Sequence, residues 1–595
     1  MQTKKWHLKE IPEADSIRYL ANALNISEAI AQILIQRNIH DASQAKRFLK
    51  PDIKNLLAPG LIPGLSAAHK RIEQALLNNE KIIIYGDYDV DGITSVVLLK
   101  RFFRLLGREV DFYVPHRLIE GYGLSNEAID EIAQRGINLI ITVDCGISNN
   151  AEIAYAKKLG MDVVITDHHE IPPELPQCII VNPKLDKQNH DSYFLSGVGV
   201  AFKVVWSLMD TFSQAKKDSR VFHEFLKDSM ALVAMGTVAD VVPMTGENRV
   251  LCSYGLEALT NTKIAGLNAL IAQTGLNSSG GGYQGPNTMG KPASLNSSSI
   301  RAEDIAFRLG PRLNAAGRMG DSYGSIKLLT SDFPEEIEKL VAQLEQNNKD
   351  RQKIEGKILT EALKIVRETY DIDNNYCIVL SGEKWHSGVL GIVASKLADE
   401  FYRPTVLIST ENGMGKGSGR SIPCFHLYNA LCDCRELLLS LGGHEYAAGL
   451  RIDHKYIPQL KVKLNEYARS HLKADDLKPF ISIDLALDFK QITKKLLSEI
   501  KMLSPFGEGN EEPVFCSHGL QVVGTPKLIG NTLKHLTFYV KGQDRTYRVI
   551  AFNKASYISL LDKAENKPFS LAYTLKLNSW HGEENIELEF VDMLT

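Results

Sequence analysis

Three short apolar runs in the first third of the chain share one pattern. They cover residues 82–85, 139–143 and 162–166, and each has the length and composition of a buried strand. The stretches between them, near residues 95–106, 126–134 and 149–159, have the apolar spacing of helices. Strands that alternate with helices of this length predict βαβ units and a parallel sheet. We therefore expect an α/β domain in this part of the chain.

Acidic and imidazole side chains follow each of the three predicted strands. The first strand is followed by Asp87, Asp89 and Asp91, the second by Asp144, and the third by Asp167, His168 and His169. Because ligands bind outside the carboxyl ends of parallel strands, we expect these side chains at one edge of the sheet. Converging carboxylates repel one another unless a cation lies between them, and hard divalent cations take oxygen ligands. The first motif alone is equally typical of a solvated turn, but its repetition at three strand ends predicts a metal site.

A fourth acid, Asp240, follows the apolar segment 230–237 and has apolar neighbours in the sequence. A buried carboxylate is costly unless it is paired or binds a metal. We therefore expect Asp240 to join the same site. The alternative is a solvated acid at the end of a helix.

Together these residues form a mixed set of carboxylate and imidazole ligands, namely Asp87, Asp89, Asp144, His168 and Asp240. Two divalent cations that share a bridging carboxylate stabilise both the attacking and the leaving oxygen of a phosphoryl displacement. The histidine shifts the preference from Mg²⁺ towards Mn²⁺, because imidazole suits softer ions. His169 should point away from His168, so we expect it to face the substrate. The alternative for His169 is a hydrogen bond that supports a metal ligand.

Length and composition narrow the class of protein. The 595 residues suggest three or four domains, and 44% apolar with 23% charged residues is typical of globular proteins. No apolar run is long enough to span a bilayer, and the first ten residues lack the apolar core of a signal peptide, so we expect a cytoplasmic location. The eight cysteines include no Cys-x-x-Cys pair, which predicts reduced thiols and no structural zinc. With a net charge of −3, any nucleic-acid surface must be a local patch.

The rest of the chain divides where the composition changes. Residues 14–50 look helical, a Gly-, Ser- and Asn-rich stretch over 276–299 predicts a flexible insertion, and 333–369 predict one long charged helix. A second strand–helix–strand pattern follows, and five short alternating strands after it suggest a small OB-like barrel. The predicted domains are an N-terminal helical region over 1–50, a catalytic domain over 51–250, a helical connector with the insertion over 251–370, a second α/β domain over 371–472 and the barrel over 473–595.

Several segments of the sequence resemble the motifs of a known superfamily. The Asp-His-His triplet after a strand, with the acidic first motif, is similar to the DHH phosphoesterase superfamily. The other motifs narrow the resemblance to the RecJ family of single-strand exonucleases. The matching segments are 86–92, 143–146, 166–169, 236–243 and 310–318, and residues 442–449 resemble the associated DHHA1 domain. The resemblance covers roughly residues 20–595.

The resemblance implies a fold and an activity. The implied fold is a parallel-sheet DHH domain joined by a long helix to an α/β DHHA1 domain, with an OB-like β-barrel at the C-terminal end. The implied activity is a metal-dependent exonuclease on single-stranded DNA, running 5′ to 3′ with release of mononucleotides, in DNA repair and recombination. Its cofactor would be two Mn²⁺ or Mg²⁺ ions. Its partners would be single-stranded DNA, single-strand-binding protein and a helicase. The protein would be a monomer in the cytoplasm. The alternatives are a phosphodiesterase on short oligonucleotides, cyclic dinucleotides or polyphosphate, and a non-catalytic scaffold.

Carried over residue by residue, the resemblance also assigns the ligands. One cation would use Asp89, Asp144, His168 and Asp240, and a second would use Asp87 and Asp144. Many members of the family have a histidine where this chain has Tyr85, and a neutral tyrosine is a poor ligand. We therefore expect weaker binding of the second cation, and a supporting role for Asp91.

Positive side chains in two glycine-rich segments predict contacts with nucleic acid. A glycine-bounded turn carries Arg308, Arg312, Asn314 and Arg318, and a glycine-rich loop over 413–419 carries or adjoins Lys416 and Arg420. Arginine binds phosphate bidentately, and glycines let the backbone approach it. His444, within a third glycine motif, is a further candidate for contact with the substrate. The alternatives are solvated arginines at a helix end and a histidine that stabilises a turn.

The predicted barrel carries aromatic residues interleaved with basic ones, an arrangement on which OB-folds stack single strands. The aromatic candidates are Phe506, Tyr539, Tyr547, Phe552 and Trp580, and the basic ones are Lys534, Lys541, Arg545 and Arg548. We expect most of these aromatic side chains to belong to the barrel core instead.

Overall fold

The computed structural model describes residues 4–186, 191–216, 219–276, 300–320, 322–543, 545–563, 567–580 and 583–594. The chain forms two compact units, Leu56–Pro479 and a second unit that combines Met1–Asn55 with Phe480–Thr595. The predicted flexible insertion over 276–299 lies, after Leu276, outside the described residues. Among the described residues, no helix has both the length and the hydropathy that crossing a bilayer requires.

The first 55 residues contain the predicted helices. The elements are β1 (Lys5–Leu8), α1 (Ala14–Leu24), α2 (Glu28–Gln36) and α3 (Ala42–Leu49). Ser27 and Asp41 begin α2 and α3, where each side chain accepts a hydrogen bond from a backbone N–H of the first turn. Such N-caps satisfy donors that have no partner inside the helix.

A five-stranded parallel sheet forms the centre of the larger unit, as the sequence predicted. In chain order its elements are α4 (Leu65–Leu77), β2 (Ile82–Gly86), α5 (Val90–Leu105), β3 (Asp111–Tyr113), α6 (Asn126–Gln134), β4 (Leu139–Val143), α7 (Asn150–Lys158), β5 (Asp162–Thr166) and β6 (Ile179–Val181). The strand order is β3-β2-β4-β5-β6. Gly86 pairs with Val143, and Val143 with Thr166, so three strands end level and bring the residues that follow them to one edge.

A helical layer continues the same core. It consists of α8 (Gly197–Lys216), α9 (Ser219–Ala239), α10 (Gly246–Thr260), α11 (Ala265–Gln273), α12 (Ala302–Asp304), a π-helical turn (Ile305–Leu309), α13 (Gly310–Met319), α14 (Tyr323–Thr330) and α15 (Pro334–Thr369). The predicted long helix is confirmed as α15. Ile337 and Leu344, in its first half, pack in the core of the sheet, whereas Ile358 and Val366 pack in the next domain. This helix therefore joins two hydrophobic cores.

The prediction of a glycine-bounded turn around Asn314 is wrong, because α13 covers this segment. Pro311 lies in the first turn of α13, where proline is compatible with a helix. Gly317 is required for close packing, since a Cβ there would lie 2.9 Å from the carbonyl oxygen of Tyr88. The glycines and the proline therefore belong to the helix rather than ending it.

The second α/β domain has a mixed five-stranded sheet with the order β10-β11-β9-β8-β7. Its elements are β7 (Ile378–Glu383), α16 (Leu390–Phe401), β8 (Thr405–Glu411), β9 (Met414–Arg420), α17 (Leu427–Cys432), β10 (Leu438–Gly443), β11 (Ala447–Asp453) and α18 (Ile457–His471). The predicted glycine-rich loop over 413–419 is mostly a strand, β9. Its alternate glycines face the core, where a Cβ at Gly417 would lie 2.9 Å from Leu450. Lys416, Ser418 and Arg420 therefore share the opposite face.

The predicted OB-like barrel is confirmed. Its unit contains β12 (Phe480–Ile483), β13 (Leu485–Ala486), α19 (Lys494–Met502), β14 (Phe515–Ile529), β15 (His535–Gly542), β16 (Arg545–Ala551), α20 (Ile558–Lys563), β17 (Phe569–Trp580) and β18 (Glu583–Leu594). Five strands close in the order β14-β15-β16-β18-β17, with β17 pairing back onto β14. Ile30 and Leu34 of α2 share one hydrophobic cluster with Phe515 and Phe538 of the barrel, and β1 pairs with β12. The first 55 residues are therefore packed with the barrel.

Candidate active site

The carboxyl ends of β2, β4 and β5, together with the end of α9, bring all six predicted catalytic residues into one cluster. Their ligand atoms form three overlapping groups, each within 4.8 Å. The groups are Asp87 with Asp89 and Asp144, Asp91 with His168 and Asp240, and Asp144 with His168 and His169. Asp240 immediately follows the last residue of α9. The repeated strand-end pattern in the sequence thus corresponds to one place in the structure.

Asp89 and Asp91 have different local roles. The Asp89 side chain caps α5 by accepting hydrogen bonds from the backbone N–H groups of Asp91 and Gly92, at 2.9 and 3.1 Å. Asp91 is fully buried and accepts hydrogen bonds from Gly197 and Val198, at the start of α8, at 2.7 and 2.9 Å. Asp91 therefore ties α5 to α8, although its Oδ2 also lies 3.8 Å from His168 Nε2.

The donor set suits divalent cations. His168 Nε2 lies 3.1 Å from Asp144 Oδ1 and 3.5 Å from Asp240 Oδ2. Burial lowers the pKa of His168 to about 3, so its ring is neutral and Nε2 can present a lone pair. Buried Asp87 Oδ1, Asp144 Oδ1 and His168 Nε2 have no hydrogen-bond partner among the described residues. Buried acceptors that converge without donors are costly, and a cation satisfies them together.

Without a bound cation, the buried carboxylates repel one another, and their ionised forms are unfavourable. Burial first, and then neighbouring carboxylates, hold the pKa values of Asp87, Asp144 and Asp240 well above the usual range. Burial, followed by the charge of Asp89, raises the pKa of Asp91 to about 7. Folding therefore brings together carboxylates whose charges oppose one another, as expected of a site built for metal.

We expect the metal-free protein to lose stability as the pH rises from about 7 to 8.5. The pKa values of Asp91 and His169 are raised to about 7 and about 9. Each group contributes stability that is complete below its unfolded pKa and is lost as the pH rises to its folded pKa. The contribution of Asp91 is therefore lost mostly by about pH 7, and the loss above that pH comes chiefly from His169. The raised pKa values of Asp87 and Asp144 act in the same direction.

Saturating Mg²⁺ should weaken or reverse this trend, because the cation binds the deprotonated ligands. Thermal unfolding at both pH values, in chelator and in Mg²⁺, measures the two slopes. Equal slopes with and without the cation would contradict the proposed ligand set.

The third strand end carries a charged pair. Asp167 is fully buried and accepts a hydrogen bond from His169 Nδ1 at 2.7 Å, together with backbone N–H groups that include that of Ile147. Although burial opposes both charges, this hydrogen bond lowers the pKa of Asp167 to about 2 and raises that of His169 to about 9. His169 is thus an imidazolium that is held by Asp167 and partly exposed, with 31% of its side chain accessible.

Four arginines from different elements lie close enough for the other three to act on the charge of Arg318, and we call Arg117, Arg318, Arg351 and Arg420 the arginine cluster. Of these, Arg351 also donates a hydrogen bond to Glu355 on its own helix at 2.7 Å. Arg318 donates a hydrogen bond to the carbonyl oxygen of Gly388 at 3.2 Å. Burial first, and then the charges of the other three arginines, lower the pKa of Arg318 to about 9, while Asp89 opposes this shift. Positive charges crowded in this way favour an anion between them.

The remaining predicted phosphate contacts are placed differently. Arg308 donates to Asp304 and to the carbonyl oxygen of Thr274, and Arg312 donates to Glu345 at 2.7 Å. Lys416 reaches the carbonyl oxygen of Leu118 at 3.1 Å, beside the arginine cluster. Asn314 is half-buried on α13, and His444 lines a cavity next to His168 and His169. Helical geometry explains the difference, since Arg312 and Arg318 lie on different faces of α13.

Sequence reasoning missed three residues of this site, Arg117, Tyr122 and Arg351. The guanidinium of Arg117 lies 4.8 Å from the ring centre of Tyr88. Tyr88 is the residue between Asp87 and Asp89 in the sequence. Tyr122 donates to the carbonyl oxygen of Asp144 at 3.3 Å and contacts the ring of His169. Arg117 and Tyr122 follow β3, a fourth strand of the same sheet, and their position after a strand could have identified them. Arg351 lies in the distant helix α15, and nothing in the sequence connected it with the site.

The hydroxyl group of Tyr85 is engaged outside the group of candidate metal ligands. Its hydroxyl donates to the carbonyl oxygen of Gly123 at 2.9 Å, and its ring stacks on Tyr113 with centres 5.2 Å apart. The side chain is fully buried in the hydrophobic cluster on one face of the sheet. Weaker binding of a second cation stays a prediction.

Of the four candidate aromatic residues whose side chains the structure describes, the barrel exposes two. Tyr539 and Phe552 are 50% and 53% exposed, whereas the Tyr547 hydroxyl donates to the carbonyl oxygen of Ile492. Lys534, Lys541 and Arg545 are exposed, Arg548 binds Glu587, and Phe506 is partly buried. The side chain of Trp580 lies outside the described part of the chain.

Three protein-family models match successive segments of the chain. The DHH family N-terminal domain matches residues 81–237, the DHHA1 domain matches 373–470, and the RecJ OB domain matches 483–592. These three matches cover the parallel sheet, the mixed sheet and the barrel.

Comparison with individual proteins gives matches over nearly the whole chain. The single-stranded-DNA-specific exonuclease RecJ of Bacillus subtilis is 36% identical over 99% of this chain and 70% of its own length. The RecJ of Haemophilus influenzae is 30% identical over 96% of each chain. The crystal structure of Thermus thermophilus RecJ in complex with Mn²⁺ covers 99% of this chain and 79% of its own, with 29% identity and a TM-score of 0.81. The chain therefore belongs to the RecJ family of the DHH superfamily.

Proposed function

We propose that this chain is a metal-dependent exonuclease that degrades single-stranded DNA from its 5′ end, releases mononucleotides, and acts in DNA repair and recombination. The observation that carries the proposal is that the larger unit contains both a cluster of buried acidic residues and a cluster of arginines. A buried cluster of acids with His168 suits cations, and the arginine cluster, whose member Arg318 interacts with Asp89, suits phosphate. The relatives named as single-stranded-DNA-specific exonucleases support the substrate and the reaction.

The proposed roles follow from where the side chains lie. The residues that would hold Mn²⁺ or Mg²⁺ are Asp87, Asp89, Asp144, His168 and Asp240. Divalent cations at such a site supply charge stabilisation at the phosphoryl oxygens and activation of water. Asp91 and Asp167 fix the geometry, the first by joining α5 to α8 and the second by orienting His169.

The two groups of positive side chains would act on the substrate. The charged ring of His169 would stabilise negative charge that develops on the phosphate during cleavage. The arginine cluster would hold a neighbouring phosphate, and Arg318 would be its most desolvated member. Exposed Tyr539 and Phe552 would stack bases of the strand on the barrel.

The second candidate function is hydrolysis of short oligonucleotides or cyclic dinucleotides by the same centre. A dinucleotide would use the acidic and arginine clusters but would have no use for a barrel with exposed aromatic residues. A non-catalytic scaffold is disfavoured because all the predicted ligands are present and converge. The barrel therefore favours a polymeric substrate, and the complete ligand set favours catalysis.

Cleavage assays distinguish these functions. We expect Mn²⁺- or Mg²⁺-dependent release of mononucleotides from single-stranded DNA, slow cleavage of blunt duplex, and no activity in chelator. A strand labelled at its 5′ end should release its label in the first product, whereas a strand labelled at its 3′ end should shorten progressively. Cleavage of a dinucleotide but not of a 30-nucleotide strand would favour the second function, and no cleavage in either metal would reject both.

A cytoplasmic location, a monomeric state and association with single-strand-binding protein or a helicase are further proposals. They rest on the family resemblance. Analytical ultracentrifugation of the free protein, and of mixtures with each partner, tests the last two.

A further inference from the structure

A cavity of about 670 Å³ opens beside His168 and His169. Its volume lies within the range of roughly 300–1,000 Å³ that is common for sites of small ligands. None of the four members of the arginine cluster lines it. Two separate features therefore adjoin the acidic centre. The arginine cluster lies next to the turn that carries Asp87 and Asp89, and this cavity lies next to His168 and His169.

One wall of the cavity is apolar and fixed in place. It consists of Phe194, Leu195, Val242 and Pro243, and Phe194 is 38% exposed although buried His168 lies close by. The side chain of Asn248, which is 1% exposed, donates to the carbonyl oxygens of Phe194 and Pro243 at 2.5 and 3.0 Å. A buried amide thus holds two parts of this wall at once, so that the ring of Phe194 is presented on a rigid backbone.

The charge of the cavity does not suit a phosphate. Its one lysine, Lys184, already binds Glu170 at 2.8 Å, the imidazolium of His169 is paired with Asp167, and Glu445 adds a further carboxylate. The second α/β domain contributes His426, Tyr428 and His444 to the lining, and these side chains can stack or form hydrogen bonds. An aromatic face with polar groups around it and no surplus positive charge suits an uncharged planar ring, and a nucleobase is such a ring.

We infer that this cavity receives the base of the nucleotide on the 3′ side of the scissile phosphate, stacked on Phe194. The inference rests on the proposed function. A phosphate cleaved at the acids has one nucleotide on each side. The arginine cluster suits the phosphate of one of them, which leaves the cavity for the base of the other. Stacking on Phe194 accepts any base, and a base must leave a duplex stack before it can enter.

The test combines Phe194→Ala with single-turnover cleavage of strands that lack one base. In the wild type, removing the base of the second nucleotide from the 5′ end should lower kcat/KM by about 5- to 150-fold, the loss that one stacked base gives. Phe194→Ala should lose a similar factor on the intact strand. It should then be nearly indifferent to the missing base at that position, and still sensitive elsewhere.

Matched variants keep the result interpretable. Phe333→Ala removes another exposed ring of the same unit, outside the cavity, and should leave both rates unchanged. Phe194→Tyr should restore the wild-type pattern, because it keeps the aromatic face. The rise in melting temperature on addition of Mn²⁺ should be the same in all four proteins, which shows that the fold and the metal ligands are intact.

Two results would overturn the inference. One is wild-type cleavage of intact strands by Phe194→Ala, and the other is an equal penalty for the missing second base in the wild type and the variant. Failure of the wild type to cleave any strand would instead reject the proposed function, and the inference with it.

Discussion

Asp144→Asn should lower the rate of single-strand cleavage by about a thousandfold or more. Asp144 belongs to two of the three groups of candidate ligands and lies closest to His168 Nε2, at 3.1 Å. Cations that stabilise phosphoryl transfer contribute several kcal/mol, and roughly 4 kcal/mol corresponds to a thousandfold in rate. An amide lacks the negative charge of the carboxylate, so the variant would hold the cations less well and should forfeit most of that contribution.

The same substitution should stabilise the metal-free protein at about pH 8. Burial and the neighbouring carboxylates Asp91 and Asp89 raise the pKa of Asp144 well above its usual range, so its charge opposes folding there. Removing that charge should raise the melting temperature in chelator and abolish the further rise that Mn²⁺ produces in the wild type. Loss of activity with a gain of stability identifies a functional carboxylate rather than a structural one.

Asp162→Asn is the matched control, because Asp162 begins β5 at the opposite edge of the same sheet and binds Arg71 at 2.8 Å. It should leave cleavage and the effect of Mn²⁺ unchanged. Cleavage by Asp144→Asn within about tenfold of the wild-type rate would refute the assignment.

Arg318→Gln should weaken the use of single-stranded DNA by roughly 10- to 150-fold in kcat/KM. Arg318 is the partly buried member of the arginine cluster whose pKa burial and the other three arginines lower, and a hydrogen bond to a charged group is worth about 1.5–3 kcal/mol. Because the proposed contact is with a phosphate, the dependence of binding on salt should fall by about one unit of slope, with little change between sequences.

Arg312→Gln provides the comparison for this variant. Arg312 lies on the same helix but binds Glu345, so its replacement should change thermal stability more than DNA binding. Binding titrations at several salt concentrations measure the slope directly. An unchanged slope in Arg318→Gln, or an equal loss in both variants, would show that Arg318 does not contact phosphate.

The strand-end pattern made the acidic centre accessible from the sequence. Each of Asp87, Asp144 and His168 follows an apolar run, and equal strand lengths in a parallel sheet bring such positions together. Asp240 needed one further argument, its apolar surroundings. These residues could be found because the parallel strands that appear as apolar runs in the sequence are the same elements that bring the acids together in the fold.

The arginine cluster was harder to foresee. Its members come from the segment after β3, from α13, from α15 and from β9, and no periodic pattern links these elements. Glycines also misled the prediction, because at Gly317 and Gly417 they permit close packing inside a helix and a strand instead of marking loops. Whether a glycine marks a turn or close packing depends on neighbours that are distant in the sequence.

The packing of the first 55 residues against the barrel has a consequence for biosynthesis. Helices α1, α2 and α3 are synthesised early, and their apolar faces are then exposed. The segment that covers these faces in the finished protein begins at Phe480 and is synthesised much later. At about 5–20 residues per second, translation from Asn55 to Phe480 lasts roughly 20–85 s. During that interval Ile30 and Leu34 lack the surface that covers them in the finished protein, so the nascent chain is a natural client for chaperones that bind early apolar helices.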